Sequence, residues 1–175
     1  MFEEQLLEKV NICQEILQDS KNELYLNMRF LDVALNTFQL QATMERERTA
    51  TDGMIYYFNP EYIMEQYKSS SQSMNRCYLH SVLHCLFGHP WHMPVVKEGS
   101  ETEKETLWNL ACDITVEHIM DSLYYRCLRL SANPYRKLVY RNLLEHMPVI
   151  NAEAVFHVLE KNPMDPRAQA RMLLE

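Results

Sequence analysis

The sequence lacks the marks of a secreted or membrane-spanning protein. No apolar run approaches the roughly 18 residues that cross a bilayer. The N-terminal segment MFEEQLLEKV is acidic and amphipathic, whereas a signal peptide begins with basic residues followed by an apolar run. The five cysteines are scattered, odd in number and without a Cys-x-x-Cys pair, so they do not resemble a disulfide framework. We therefore expect a soluble, cytoplasmic protein.

Positive charge is also in short supply. Lysine and arginine number 17 against 24 aspartates and glutamates, which gives a formal net charge of −7 at pH 7. This balance argues against a nucleic-acid partner and against binding to a membrane. Hydrophobic residues make up 47% of the chain and charged residues 23%, as in ordinary soluble domains. A chain of 175 residues can therefore bury a core without a disulfide or a metal staple.

Glycine is scarce as well, and no repeat or low-complexity linker interrupts the chain. The three glycines all fall at predicted breaks between elements. We predict one domain over residues 1–175. Within it we expect N-terminal helices in 1–38, a core with the candidate metal site in 39–123, and C-terminal helices in 124–175.

Periodicity and capping signals predict a mainly helical chain with one small β element. Apolar residues recur at helical spacing over residues 2–18, and a capping-box pattern at 20–23 restarts a helix to about Phe38. LQATM and MIYYF are typical of short strands, and Asp52-Gly53 between them signals a tight turn. Further helices are predicted after Asn59-Pro60, after the polar loop at 69–73, over about 102–123, and after Asn133-Pro134, Asn151 and Asp165-Pro166. The predicted fold class is α+β, predominantly α-helical, with a small β-hairpin before the helix of residues 74–87.

The segment HSVLH in that helix places His80 and His84 four residues apart. Such residues lie on one helix face, so both imidazoles can reach one ion. Neutral imidazole suits zinc and similar divalent metals. The flanking residues are apolar, and a buried polar group without a partner costs about 1–3 kcal/mol. A metal ion, with zinc as the first choice, would serve as that partner; the alternative is a purely structural, hydrogen-bonded pair.

A metal site with an open position needs a third protein ligand, and three residues compete for this role. Asp113 is the first candidate, because a carboxylate inside the apolar run LWNLACDITV is costly unless it is paired or bound to metal. It could instead cap a backbone amide. His89 is the second candidate, since the chain can turn back toward the metal after Gly88; it could instead mark an exposed corner. Glu117 is the third, either as a ligand or as the acceptor for the N–H of a ligating histidine.

Other histidines and cysteines are weaker candidates. Cys77 and Cys85 lie close to the histidine pair, but small buried hydrophobic residues describe them better than thiolate ligands. His92 lies in a predicted loop, and His146 and His157 fall in later helices as ordinary residues.

Three segments in this order, TATDGMIYYFNPEYI, LHSVLHCLFGHP and LWNLACDITVEHIM, resemble a metallopeptidase domain of bacterial proteins that occurs beside a von Willebrand A-like domain. The resemblance covers about residues 40–120. It implies a zincin-like core, a zinc ion or another divalent metal, and a von Willebrand A-like partner domain. The family's His-Glu-x-x-His, Gly-His-Pro and Asn-x-x-x-Asp patterns fall on His80 and His84, Gly88-His89-Pro90, and Asn109 and Asp113.

The chain departs from this pattern at Ser81, which stands where the family has glutamate. In such sites the glutamate accepts a proton from the attacking water and passes it to the leaving amine. A serine hydroxyl is too weakly basic for this role near pH 7, and loss of a positioned base costs about 10²- to 10⁴-fold in rate. The resemblance therefore implies a metal-binding, metallopeptidase-like pseudoenzyme that binds a peptide or protein partner, or only the ion.

Two other functions stay open. The first is an active metal-dependent peptidase or other hydrolase in which Glu117 or His89 replaces the missing base. The second is a metal-free helical protein-interaction domain whose histidines are structural. Eleven methionines and ten tyrosines would suit an adaptable binding surface, although this count alone decides nothing.

Overall fold

The computed structural model describes residues 2–92 and 101–173, and it confirms the predicted α+β, predominantly helical fold. The predicted loop with Gly99 lies largely outside these ranges. No helix in the described ranges combines the length and apolar character needed to cross a membrane. The helices are α1 (Phe2–Asn27), α2 (Asp32–Leu35), α3 (Pro60–Ser69), α4 (Ser71–Leu86), α5 (Glu101–Ser122), α6 (Pro134–Leu144), α7 (Ala152–Lys161) and α8 (Pro166–Leu173), and the strands are β1 (Gln39–Ala42), β2 (Ala50–Thr51) and β3 (Ile55–Phe58).

The helix start predicted at Ser20 is wrong, because α1 continues through this residue. Ser20 is buried within the helix, as are Leu17 and Leu24 on the same side. Glu23, which would complete the capping box, instead accepts a hydrogen bond from Asn75 Nδ2 at 2.7 Å. A capping motif contributes only about 1 kcal/mol. Burial of this apolar side of α1, which packs against α3 and α4, therefore outweighs the local signal.

The helix predicted up to Phe38 also ends early. Only a 3₁₀ turn (Arg29–Leu31) and the short α2 follow α1. The Phe38 ring lies 5.8 Å from that of Tyr56 and 6.1 Å from that of Tyr78. This aromatic cluster joins the chain before β1 to the sheet and to α4.

The two predicted strands are β1 and β3, which pair in parallel, and β2 provides the antiparallel partner. The sheet order is β1-β3-β2, and the predicted hairpin is present across Asp52-Gly53. Its first strand is β2 and not β1, because β1 pairs with β3 in parallel. Asp52 Oδ1 accepts hydrogen bonds from the amides of Ile55 and Met54 at 2.8 and 2.9 Å. These bonds lower the pKa of the Asp52 carboxyl. Gly53 has a φ of 95°, which glycine adopts without a steric penalty.

Side-chain caps start the two helices that lead to the histidine pair. Asn59 Oδ1 caps α3, and Pro60 occupies its first position, as predicted. Ser70 Oγ accepts a hydrogen bond from the Ser73 amide at 3.0 Å and caps α4. The polar loop predicted at 69–73 is therefore reduced to Ser70, since the two helices are separated by this residue alone.

The helix α4, which carries the histidine pair, is buried over residues 73–79 and 81–83. The Tyr78 hydroxyl donates a hydrogen bond to the Leu35 carbonyl at 2.8 Å. Asn75 Nδ2 donates to the Cys127 carbonyl at 3.0 Å. These contacts on two sides of α4 fix the orientation of the helix about its axis. They thereby fix the direction in which its histidine face points.

The chain divides into two compact units. The first comprises the residues up to Pro90 together with Tyr124–Arg129, and the second comprises Trp91–Leu123 and the residues from Leu130 onward. These limits differ from the predicted segments 1–38, 39–123 and 124–175. The predicted organisation as a single domain stays a prediction.

The second unit is a helical assembly in which α5 packs against α7 and α8, and α6 packs against α8. Its last three helices begin where predicted, because Asn133, Asn151 and Asp165 each accept a hydrogen bond from the amide three residues ahead, at 2.9–3.0 Å. Its core contains buried side chains from α5, α6 and α7, among them Trp108, Ile114, Val139, Val155 and Phe156.

Candidate metal centre

The imidazoles of His80 and His84 lie one above the other on one face of α4. Their Nε2 atoms are 2.9 Å apart, and their ring centroids are 4.6 Å apart. Both residues are partly exposed, whereas Leu79, Val82 and Leu83 between and beside them are buried. The helix therefore presents a pair of nitrogen ligands at the edge of an otherwise buried surface.

The spacing of the two Nε2 atoms fits a shared metal ion. Two nitrogens at ordinary Zn–N distances from one tetrahedral ion are about 3.3 Å apart. The observed 2.9 Å is close to this value, and a small rotation of either ring covers the difference. The same distance also fits a direct hydrogen bond between the two rings. The donor set suits zinc, since neutral imidazole is one of its preferred ligands.

His89 lies on the other side of the His84 ring. Its Nδ1 is 3.3 Å from His84 Nδ1, and the two rings meet edge to face with centroids 5.0 Å apart. Gly88 precedes it with a φ of 72°, so the chain turns back at the end of α4 as the sequence predicted. The structure therefore brings His89 into the histidine cluster, against the ring nitrogen of His84 that faces away from His80.

Ser81 occupies the position of the expected glutamate. It is 8% exposed and follows His80 directly on α4. Its side chain is short and carries a hydroxyl, so it offers no carboxylate to act as a base toward water.

The two neighbouring cysteines are free thiols that are buried or half-buried. Cys77 is buried, with its Sγ 3.6 Å from the Tyr56 hydroxyl and 3.7 Å from Thr49 Oγ1. Cys85 is half-buried, and this burial raises the pKa of its thiol. Burial thus disfavours the free thiolate of Cys85.

Asp113 lies on α5 in the second unit. It is half-buried, whereas residues 110–112 and 114–117 around it are buried. Its carboxylate therefore marks one polar position in an apolar stretch, as the sequence indicated. Burial raises the pKa of the adjacent Cys112 thiol to about 12, which shows how apolar this part of α5 is. Asn109, one turn earlier, is exposed.

Glu117 forms a buried ion pair that the sequence did not predict. It is 3% exposed and Arg136 is 4% exposed, with Glu117 Oε2 2.6 Å from Arg136 Nη1. Arg136 Nη1 also lies 3.4 Å from both carboxylate oxygens of Asp121, and its Nε donates to the Met172 carbonyl at 3.1 Å. Arg136 thus joins α5, α6 and α8, and this contact gives Glu117 a structural role.

A sequence signal for this ion pair existed. Glu117 and Asp121 are four residues apart on the mostly apolar helix α5, so their carboxylates lie on one face of it. A buried carboxylate is stable only with a cationic partner, so this spacing predicts a lysine or arginine nearby. Nothing in the local sequence identifies which of the 17 lysines and arginines supplies it.

The remaining four histidines all belong to the second unit. His118 packs its ring against Tyr140, with centroids 4.8 Å apart, and burial lowers its pKa. His92 is exposed. His146 contacts the Asn142 carbonyl at 2.9 Å, and His157 is exposed on α7.

One protein family matches most of the chain. The family described as a "putative metallopeptidase domain" matches residues 14–161. This span is wider than the residues 40–120 that carry the resemblance in the sequence, and it contains every candidate site residue. Searches of curated proteins and of solved structures found no match.

Proposed function

The chain belongs to this family of metallopeptidase domains, and we propose that it binds one divalent metal ion, zinc as the first choice, with little or no hydrolytic activity. The observation that carries the proposal is the convergence of His80 Nε2 and His84 Nε2, 2.9 Å apart on one face of α4. When bound, such an ion acts as a Lewis acid toward a carbonyl oxygen or water.

Asp113 is the proposed third ligand, beside His80 and His84, as the sequence ranked it. The Asn-x-x-x-Asp pattern of the family, which falls on Asn109 and Asp113, supports this choice. Two imidazoles and one carboxylate are a common ligand set for zinc sites that keep a fourth position open. This ligand chemistry and the sequence pattern support a zincin-like centre.

Ser81 is the reason for proposing weak or absent hydrolysis. The helix position that carries the base in a His-Glu-x-x-His site holds a buried hydroxyl here. The substitutes named from the sequence are both engaged, since Glu117 pairs with Arg136 and His89 contacts His84. These contacts argue against an active hydrolase that uses either residue as its base.

The proposed role of the domain is then to hold the ion and to bind a peptide or protein partner. By family resemblance, a von Willebrand A-like domain is one such partner. The net charge of −7 argues against nucleic acid as the ligand. A metal-free interaction domain is the second candidate function, because the 2.9 Å contact also fits a direct hydrogen bond between the histidines.

Metal analysis of protein purified without an affinity tag tests this function. We expect about one equivalent of zinc per chain, loss of the metal in His84→Ala, and retention in His157→Ala, whose exposed histidine on α7 serves as the matched control. Asp113→Ala should weaken binding strongly. A parent protein that binds no zinc, cobalt or manganese would favour the metal-free interaction domain.

Restoring the glutamate separates binding from catalysis. We expect the parent to show no peptidase turnover above background, and Ser81→Glu to exceed it by about 10²- to 10⁴-fold. Ser81→Gln, of the same size without a base, is the control and should stay inactive. Turnover by the parent that stops in Glu117→Ala or His89→Ala would establish the active hydrolase instead.

A further inference from the structure

We infer that His89 is a positioning residue for the metal site, which accepts a hydrogen bond from His84 Nδ1–H and thereby orients the His84 ring toward the ion. This inference rests on the proposed function of the His80–His84 pair. It gives His89 a role different from both sequence expectations, namely a third ligand or a catalytic base.

The two nitrogens of His84 face different residues. Nε2 lies 2.9 Å from His80 Nε2, and Nδ1 lies 3.3 Å from His89 Nδ1. A neutral imidazole that binds a metal through one nitrogen carries its proton on the other. If Nε2 binds the ion, the proton of His84 is on Nδ1 and is donated to His89 Nδ1. Histidine ligands in metal sites are commonly oriented in this way by a hydrogen-bond acceptor.

The backbone holds His89 in place for this contact. The Gly88 amide donates to the Cys85 carbonyl at 3.0 Å, and the φ of 72° at Gly88 turns the chain back below the end of α4. The His89 ring is 9% exposed and lies 5.7 Å from the Phe87 ring. A side chain buried and flanked in this way is restricted in its rotation, as a positioning residue must be.

The same geometry argues against His89 as a ligand of the ion between His80 and His84. The His89 Nδ1 atom is directed at the ring nitrogen of His84 that faces away from His80. An ion bound to His84 Nε2 therefore lies on the opposite side of the His84 ring from His89 Nδ1. This geometry concerns only Nδ1 of His89, so metal binding through His89 Nε2 is tested with separate variants.

Three substitutions of His89 separate these roles. Asn carries an acceptor oxygen at about the position of Nδ1, Gln carries one at about the position of Nε2, and Ala carries neither. Dissociation constants for Zn²⁺ are measured by competition with a chromophoric chelator. The visible spectrum of bound Co²⁺ reports the ligand set, and unfolding without metal reports the fold.

We expect His89→Ala to bind one ion about 10- to 100-fold more weakly than the parent, with Co²⁺ bands at unchanged positions. His89→Asn should bind nearly as tightly as the parent, and His89→Gln as weakly as His89→Ala. If His89→Ala does not fold, the comparison of the Asn and Gln variants decides.

Three results would overturn the inference. Unchanged affinity in His89→Ala would show that the contact has no effect on the ion. Rescue by Gln but not by Asn, or Co²⁺ bands that shift in His89→Ala, would identify His89 as a ligand through Nε2. A parent protein that binds no metal would contradict the proposed function itself. The first two results contradict only the inference about His89, because they are obtained with a parent that binds metal.

Discussion

Glu117 and Arg136 meet as charged side chains in the buried part of the second unit, where a charge without its partner is strongly destabilising. Their ion pair has a length of 2.6 Å, and Arg136 makes further contacts to Asp121 and to the Met172 carbonyl. Tyr140 donates its hydroxyl proton to Asp121 Oδ2 at 3.1 Å, which extends the network. The role of Glu117 is therefore set by its contact with Arg136 and not by its position in the sequence motif.

We predict that Glu117→Gln lowers the free energy of unfolding by about 3–5 kcal/mol, because it leaves the Arg136 guanidinium buried without its nearest carboxylate. Urea denaturation followed by circular dichroism measures this change. Glu105→Gln, at an exposed position of the same helix, is the control and should change the free energy by less than about 0.5 kcal/mol. An unchanged urea midpoint for Glu117→Gln would make Glu117 available again as a candidate base.

Helix starts are the places where a single nearby side chain has the clearest effect on secondary structure. Asn59 caps α3 through Oδ1, which accepts from the Glu61 amide at 2.8 Å, while its Nδ2 donates to the Arg46 carbonyl at 2.7 Å. The first contact stabilises the helix, and the second holds the segment before β2. The side chain therefore links the helix to the sheet region.

Asn59→Ala should destabilise the protein by about 0.5–2 kcal/mol, since it removes the cap of α3. Asn59→Asp keeps the acceptor and loses the donor to Arg46, so it separates the two contacts. We expect a smaller loss in Asn59→Asp than in Asn59→Ala, measured as the shift of the thermal midpoint. Equal losses would assign the stabilisation to the contact with Arg46 and not to the cap.

The α1 helix shows the limit of such local signals. Its capping-box pattern at Ser20 is as favourable in sequence as the cap at Ser70, yet only the second is used. The difference is burial, because Ser20 lies on the side of α1 that packs on α3 and α4. A local motif decides the structure only where long-range packing does not oppose it.

Metal binding should raise the free energy of unfolding of the whole molecule. A ligand that binds only the folded chain, at 100 times its dissociation constant, stabilises it by about 2.7 kcal/mol. For a protein of this size, that corresponds to a rise in the melting temperature of about 5–10 °C. We expect zinc to produce this rise in the parent and in His157→Ala, and none in His84→Ala, as measured by differential scanning calorimetry. An equal rise in His84→Ala would show that zinc binds elsewhere.

The part of the candidate site that lies on the single helix α4 was predictable from the sequence. The spacing of His80 and His84 sufficed to place two imidazoles together, and Gly88 marked the turn that follows. The direction of His89 was not predictable, because two ring nitrogens of His84 were available for contact and sequence does not distinguish them. The role of Glu117 was missed because its partner, Arg136, is 19 residues away.

The sequence by itself determined the helix starts at Asn-Pro and Asp-Pro, the Asp52-Gly53 turn and the shared face of the histidine pair. Each of these follows from backbone geometry within a few residues. Only the tertiary structure decided the parallel pairing of β1 with β3, the uninterrupted course of α1, and the partners of Glu117 and His89. These features depend on which distant segments bury their apolar surfaces together, and that choice minimises the free energy of the whole packed chain.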